Sequence, residues 1–141
     1  MSVLIPIFLE SDFWQANLAR RVSACDNRPG KTKIYVTVLD AAGNPLSGAR
    51  VYFGTEPTLG VAYDHLNVWG ITNEDGWIEW KHLGVPTRYT IRMEDDKDNL
   101  IENIRTDLGY EYCKPVGSRF RGYRPVNRPG VYSYDIEIQK R

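Results

Sequence analysis

A regular alternation of apolar and polar side chains is the feature that most constrains how this chain can fold. Two segments, 33–40 (KIYVTVLD) and 131–139 (VYSYDIEIQ), alternate in this way along their length. A period of two residues is that of a β-strand with one buried face, whereas an amphipathic helix repeats every 3.6 residues. We therefore expect one phase of the strands to form the core. The residues expected to be buried are Ile34, Val36, Val38, Val51, Ile91, Tyr134 and Ile136.

Short β-rich segments separated by turn signals fill most of the remaining sequence. The further expected strands are ARVYF (49–53), VWGIT (68–72), WIEWKH (77–82), RYTIRM (88–93), LARRVSAC (18–25) and LIENIRT (100–106). Turn signals such as AAGN, NEDG, GVP and DDKDN lie between them. No segment shows convincing helical periodicity. This pattern predicts an all-β protein, an antiparallel β-sandwich of about seven or eight strands.

The two ends of this pattern are less regular. Residues 1–15 are apolar and aromatic without clear alternation, and residues 114–130 carry several basic side chains and no acidic one between glycines and prolines. We expect an extended N-terminal arm at 1–16, a β-sandwich domain at 17–141 and a long basic loop at 114–130. The opening residues lack the basic start and the cleavage site of a signal peptide, so we expect them in the mature chain.

The charge balance restricts the partners of this chain. Its 141 residues include 18 Lys and Arg and 18 Asp and Glu, a formal net charge of zero. A neutral chain has no overall field that would draw it to nucleic acid or to an anionic membrane. No apolar run approaches the roughly 20 residues that cross a bilayer. We therefore expect no nucleic-acid partner and no membrane insertion.

The residues that usually carry catalysis form no recognisable motif. His65 and His82 have no partner at HxH or HExxH spacing, and a GxSxG sequence is absent. Four carboxylates at 94–99 resemble a calcium loop in composition but not in spacing, so a solvated turn is the favoured interpretation. We expect a protein that is not an enzyme, with no catalytic residues, no cofactor and no metal site.

Two cysteines, Cys25 and Cys113, lie far apart in the sequence. This separation excludes CxxC redox chemistry, and two thiolates are too few for a structural zinc site. The residues alone leave two alternatives, a disulfide or two unrelated thiols. A disulfide would imply an oxidising compartment.

Aromatic residues are concentrated on two consecutive expected strands. Trp77 and Trp80 are three positions apart, so in a regular strand they face opposite sides and one of them belongs to the core. The other could form a flat platform on which a sugar ring stacks. The candidates for such a glycan platform are Tyr63, Trp69, Trp77 and Trp80. Plain packing is the alternative use of these side chains.

Two segments are candidates for an assembly interface. Apolar side chains in the arm form a set that a monomer seldom leaves in water. The basic loop interleaves arginines with aromatic residues, a composition enriched at protein interfaces. The expected interface residues are Val3, Leu4, Ile5, Ile7, Phe8, Leu9, Phe13, Trp14, Arg119, Phe120, Arg121, Tyr123 and Arg124. The alternatives are an arm that folds back onto its own sandwich and a loop that is simply solvated.

One stretch resembles a known fold family. The segment GNPLSGARV (43–51), followed by T72 and DG (75–76) before the next strand, is similar to the prealbumin-like or carboxypeptidase-regulatory-like β-sandwich, a relative of bacterial Ig-like modules. The resemblance covers about residues 33–93. It implies an Ig-like or prealbumin-like sandwich and no particular activity.

A second resemblance extends from Arg20 to the C-terminus. The pieces RRVSACDN, IYVTVLDAAGNPLSGARV, YCKP and YSYDIEIQKR resemble small accessory modules of secreted bacterial cell-wall or polysaccharide hydrolases. Those modules carry cysteines at the positions of Cys25 and Cys113, so the resemblance implies a disulfide between them. No hydrolase domain accompanies the module in this sequence.

The function that these features favour is structural. We expect a non-enzymatic assembly module on an extracellular or virion surface, which binds copies of itself or a neighbouring protein through its arm and loops. The alternative is a carbohydrate-binding or cell-wall-binding accessory module, with polysaccharide as the partner.

Overall fold

The structure, a computed structural model, describes residues 6–22, 33–55, 67–81, 88–106, 110–113, 124–127 and 132–141. Within these ranges the chain forms strands and turns and no helix. The strands are β1 (Ile7–Phe8), β2 (Trp14–Val22), β3 (Lys33–Leu39), β4 (Arg50–Thr55), β5 (Asn67–Ile71), β6 (Trp77–Lys81), β7 (Arg88–Met93), β8 (Ile101–Arg105), β9 (Tyr110–Cys113), β10 (Arg124–Asn127) and β11 (Ser133–Lys140). The prediction of an all-β fold is confirmed.

Two sheets form the sandwich, and a two-stranded ribbon accompanies them. The first sheet has the order β1-β8-β7-β4-β5 and the second has the order β2-β11-β3-β6, while β9 pairs with β10. Each of the eight segments expected to be strands overlaps an observed strand. The structure adds β1, β9 and β10, which are only two to four residues long and were not predicted from the sequence.

The alternating residues of the central strands form the core. All seven residues expected to be buried are at most 2% exposed. They pack between the sheets with larger side chains such as Phe53, Tyr89 and Met93. Because each strand buries one side chain in two, the two sheets together supply one continuous apolar layer.

One pairing departs from the antiparallel arrangement. β11 lies between β2 and β3, antiparallel to β2 and parallel to β3. A tight hairpin forces neighbouring strands to run in opposite directions, but β3 and β11 are separated by most of the chain. Their relative direction is therefore free of that constraint, and the sheet is mixed at this pair.

The Gly-Asn-Pro segment after β3 is a scaffold turn. The Asp40 carboxylate accepts two backbone N–H hydrogen bonds within the turn, and Gly43 adopts a φ of 89°, which favours glycine. The Thr72 hydroxyl donates to the Leu46 carbonyl oxygen at 2.6 Å and accepts from the Ala49 N–H at 2.9 Å. These contacts connect the turn to the end of β5, so the motif supports the fold.

Candidate assembly surfaces

The described part of the arm lies along its own sandwich. β1 pairs with β8 at the edge of the five-stranded sheet, and the Leu9 N–H donates to the Leu100 carbonyl oxygen at 2.9 Å. The Ser11 hydroxyl then donates to the Asp96 carboxylate at 2.7 Å and accepts from two backbone N–H groups at the start of β2. The chain thereby passes from the edge of one sheet to the edge of the other.

Trp14 belongs to the core and not to an exposed arm. It is the first residue of β2, is 5% exposed, and packs in the same cluster as the central strands. The predicted boundary after residue 16 therefore falls inside a strand. Trp14 was placed in the expected assembly interface because residues 1–15 show no clear alternation, whereas pairing of β2 with β11 turns its side chain inward.

Three side chains of the arm remain exposed, Ile7 and Phe8 on opposite faces of β1 and Phe13 just before β2. Ile7 is 40% exposed, Phe8 46% and Phe13 51%, while Leu9 is half-buried. We call Ile7, Phe8 and Phe13 the arm surface. Val3, Leu4 and Ile5, which were predicted to join them, lie outside the described residues.

The basic segment 114–130 is only partly described. Arg119, Phe120, Arg121 and Tyr123 lie outside the described residues. Arg124 is the first residue of β10, opposite Cys113 of β9. The prediction of a continuous loop was therefore wrong for Arg124–Asn127, because pairing with β9 gives these residues a strand conformation that their own sequence does not announce.

The disulfide stays a prediction. Cys25 lies outside the described residues, and only the backbone of Cys113, at the end of β9, is described.

The tryptophans do not form one platform. Trp80 points inward and stacks on Phe53, with 4.6 Å between ring centres, as expected for one member of the pair on β6. Trp77 points to the outer face of the four-stranded sheet and stacks on Tyr35 at 4.8 Å. Trp69 lies on the outer face of the other sheet. The predicted glycan platform is thus divided among three locations, and Tyr63 lies outside the described residues.

The Tyr35 phenol lies near three carboxylates. Partial burial of the phenol, followed by the charges of Glu79, Asp135 and Asp75, raises the pKa of Tyr35 above its ordinary value. The phenol therefore stays neutral at physiological pH, and the Tyr35–Trp77 stack contains no charged member.

Trp69 and Ile71 form a second exposed apolar surface. They are 54% and 49% exposed and point outward from β5, which ends the five-stranded sheet. The Arg50 guanidinium lies 4.4 Å from the centre of the Trp69 ring and 3.5 Å from the Glu94 carboxylate. We call Trp69 and Ile71 the β5 surface. Trp69 was a predicted site residue and Ile71 was not, although both lie on the outer face because Val68 and Gly70 occupy the inward phase of this strand.

The acidic turn after β7 has a structural role. Asp96 accepts a hydrogen bond from Ser11 through its carboxylate and one from Arg92 through its backbone oxygen at 2.9 Å. A cleft of about 500 Å³ lies between this turn, the arm and Arg141.

No group of three His, Cys, Asp or Glu residues is placed to hold a metal in the described ranges. His65 and His82 lie outside those ranges.

A membrane-spanning helix is not found in the part of the chain that the structure describes.

Several solved structures resemble this fold at low sequence identity. BcpA, the major pilin subunit of Bacillus cereus, is 17% identical over 79% of this chain and 30% of its own, with a TM-score of 0.40. The pilus 2b backbone protein of group B streptococcus is 14% identical over 77% of this chain and 41% of its own, with a TM-score of 0.39. This chain therefore spans less than half the length of either pilus protein.

An enzyme domain is similar to the same degree. The dioxygenase domain of a dioxygenase carbohydrate-binding protein fusion from Streptomyces sp. SirexAA-E is 14% identical over 80% of both chains, with a TM-score of 0.43. No protein-family model matches the chain, and no curated protein matches it. The resemblance to hydrolase accessory modules stays a prediction. At these TM-scores the likenesses carry no argument about function, which depends on the chain's own surfaces.

Proposed function

We propose that this chain is a non-enzymatic structural module that assembles with copies of itself through the exposed edges of its sandwich. We place the module on an extracellular or virion surface, because the disulfide implied by the resemblance would form in an oxidising compartment. β1, which carries Ile7 and Phe8 of the arm surface, and β5 lie at opposite edges of the five-stranded sheet. A module with two such edges can contact one neighbour on each side.

The location of the exposed apolar side chains carries this proposal. Among the described residues, the exposed large hydrophobic side chains all lie on edge strands or on the connection between β1 and β2. They are Ile7, Phe8, Phe13, Leu18, Trp69 and Ile71. An edge strand presents unpaired backbone N–H and C=O groups, and apolar side chains beside them favour pairing with another chain. The central strands that the structure describes lack this combination, since each has a partner on both sides.

Charge placed on the arm surface is expected to weaken assembly. In the double variant Phe8→Lys and Phe13→Lys, association would require burying two ammonium groups, which costs free energy. We expect the average mass at high concentration, measured by light scattering after size-exclusion chromatography, to fall below that of the wild-type chain. The control is Ala42→Lys with Asn44→Lys, which adds the same charge at an exposed turn.

The outcome of this experiment decides the proposed function. The control variant should associate as the wild-type chain does. A wild-type chain that is monomeric at every concentration, with its cysteines in their native redox state, would contradict assembly as the function. An arm variant that associates like the control would move the interface away from the arm.

Carbohydrate binding is a second candidate, supported by the exposed indole of Trp69. Its cross-strand neighbour is Tyr52, and an exposed aromatic side chain on a flat sheet can stack on the CH groups of a sugar. We expect, for this candidate, retardation of the native chain in polysaccharide-containing gels and loss of retardation in Trp69→Ala. Equal mobility with and without polysaccharide would exclude it for the glycans used.

A further inference from the structure

The described sheet edges differ in how well they are protected against pairing. β1 has two residues, β2 contains a bulge and the pair Arg20–Arg21, and β6 contains Glu79 and Lys81. Short length, bulges and charged side chains are the usual means by which an edge strand avoids another chain. β5, with the sequence NVWGI, contains no charged residue and no proline, and its register with β4 is unbroken. It is therefore the edge best suited to pairing.

Hydrogen bonds at the start of β4 indicate which backbone groups of β5 have no partner in the described sheet. The Thr72 N–H donates to the Ala49 carbonyl oxygen at 2.9 Å, whereas the Glu94 N–H donates to that of Arg50 at 3.2 Å. Alternate residues of β4 thus bond to β5 and to β7. In the observed register, Val68 and Gly70 of β5 face the hydrogen-bonding residues of β4.

The remaining residues of β5 direct their backbone groups away from β4. By the same alternation, the N–H and C=O groups of Asn67, Trp69 and Ile71 point to the open side of the strand. No described strand pairs with that side. Trp69 and Ile71 therefore have both open backbone groups and side chains exposed on the outer face.

This arrangement is self-complementary about Trp69. If two copies of β5 run antiparallel with their Trp69 residues opposite each other, Asn67 of each copy faces Ile71 of the other. Both kinds of pair then consist of residues with open backbone groups and form about six main-chain hydrogen bonds. On the inner side, Val68 faces Gly70, so a larger side chain meets a position without one.

We propose that β5 pairs antiparallel with β5 of a second copy across a two-fold axis at Trp69, which joins two five-stranded sheets into one continuous sheet. This inference rests on the proposed function, since it names one of the contacts by which the module would assemble. The two indoles lie opposite each other on the outer face, where cross-strand aromatic pairs are favourable. The arm surface remains free for a second contact, with Ile7 and Phe8 at the opposite edge of the sheet.

A pair of oppositely charged substitutions at Trp69 tests the two-fold axis directly. In the full-length chain, Trp69→Lys places two like charges opposite each other, as does Trp69→Glu. We expect the dissociation constant of the dimer to rise about tenfold or more in either variant, from lost aromatic pairing and charge repulsion. An equimolar mixture of the two variants should regain association, because opposite charges then meet across the axis.

The matched control is Ala42→Lys, at an exposed position in the turn after β3 and away from the sheet edges. It should leave the dissociation constant unchanged, and circular dichroism should show all variants folded. Trp69→Lys that associates like the wild-type chain would overturn the β5 pairing, as would a mixture that does not regain association. If either result is found while Phe8→Lys with Phe13→Lys still weakens assembly, the β5 pairing fails and the proposed function stands. If the wild-type chain never associates, the proposed function fails as well.

Discussion

Replacing Trp14 by alanine is expected to lower the free energy of unfolding by about 3–5 kcal/mol. The reason is that the indole is 5% exposed and packs between the sheets at the start of β2, so its removal leaves a cavity. Urea unfolding followed by circular dichroism measures the change. The control is Phe13→Ala, one residue earlier and 51% exposed, which should change stability by only a few tenths of a kcal/mol.

A second substitution at Trp14 separates packing from polarity. The indole nitrogen is buried and has no hydrogen-bond partner among the described residues. Trp14→Phe keeps an aromatic ring and removes this unpaired donor, so it should cost much less than alanine. Equal losses for Trp14→Ala and Phe13→Ala would show that residues 6–14 are an arm outside the core. Deletion of residues 1–14 would then leave the sandwich stable, whereas the structure predicts that this deletion destabilises it.

Replacing Phe53 by alanine is expected to lower the free energy of unfolding by about 3–5 kcal/mol as well. Phe53 is fully buried in β4 and lies between Trp80 and Tyr89, at ring-centre distances of 4.6 and 4.8 Å. Its loss would remove two aromatic contacts and open a cavity at the point where β6 and β7 meet β4. The measurement is chemical denaturation monitored by tryptophan fluorescence, to which Trp80 contributes as one of four tryptophans.

Phe53→Leu provides a graded comparison. Leucine fills much of the cavity but stacks on neither ring, so its cost should lie between zero and that of alanine. If alanine and leucine variants both unfold at the same denaturant concentration as the wild-type chain, Phe53 is not in the core and the inward phase of β4 is wrong.

Core residues and edge residues should contribute to different properties, the first to stability and the second to association. Trp80 and Phe53 hold β6 and β4 together across the sandwich, and β5 pairs with β4 and with no other described strand. Among the described residues, the large apolar side chains that remain in water lie on edge strands or, for Phe13, just before one. Substitution there should change association and leave unfolding nearly unaffected, while substitution in the core should do the reverse.

The sequence by itself determined the class of fold, the longer strands and the phase of the core. Alternation with a period of two is a local property, because successive side chains of any strand point to opposite faces. Ile34, Val36 and Val38 could therefore be assigned to the core before any pairing was known. The same reasoning separated Trp77 from Trp80, which indeed lie on opposite faces of β6.

Only the tertiary structure decided which strands are edges and what the arm does. Trp14 and Phe13 are adjacent and both aromatic, yet pairing of β2 with β11 buries the first and leaves the second in water. Trp69 is exposed because its side chain lies on the outer face of β5, which pairs with β4 and with no other described strand. Strand order depends on contacts between residues far apart in the chain, and local alternation carries no information about which neighbour a strand will find.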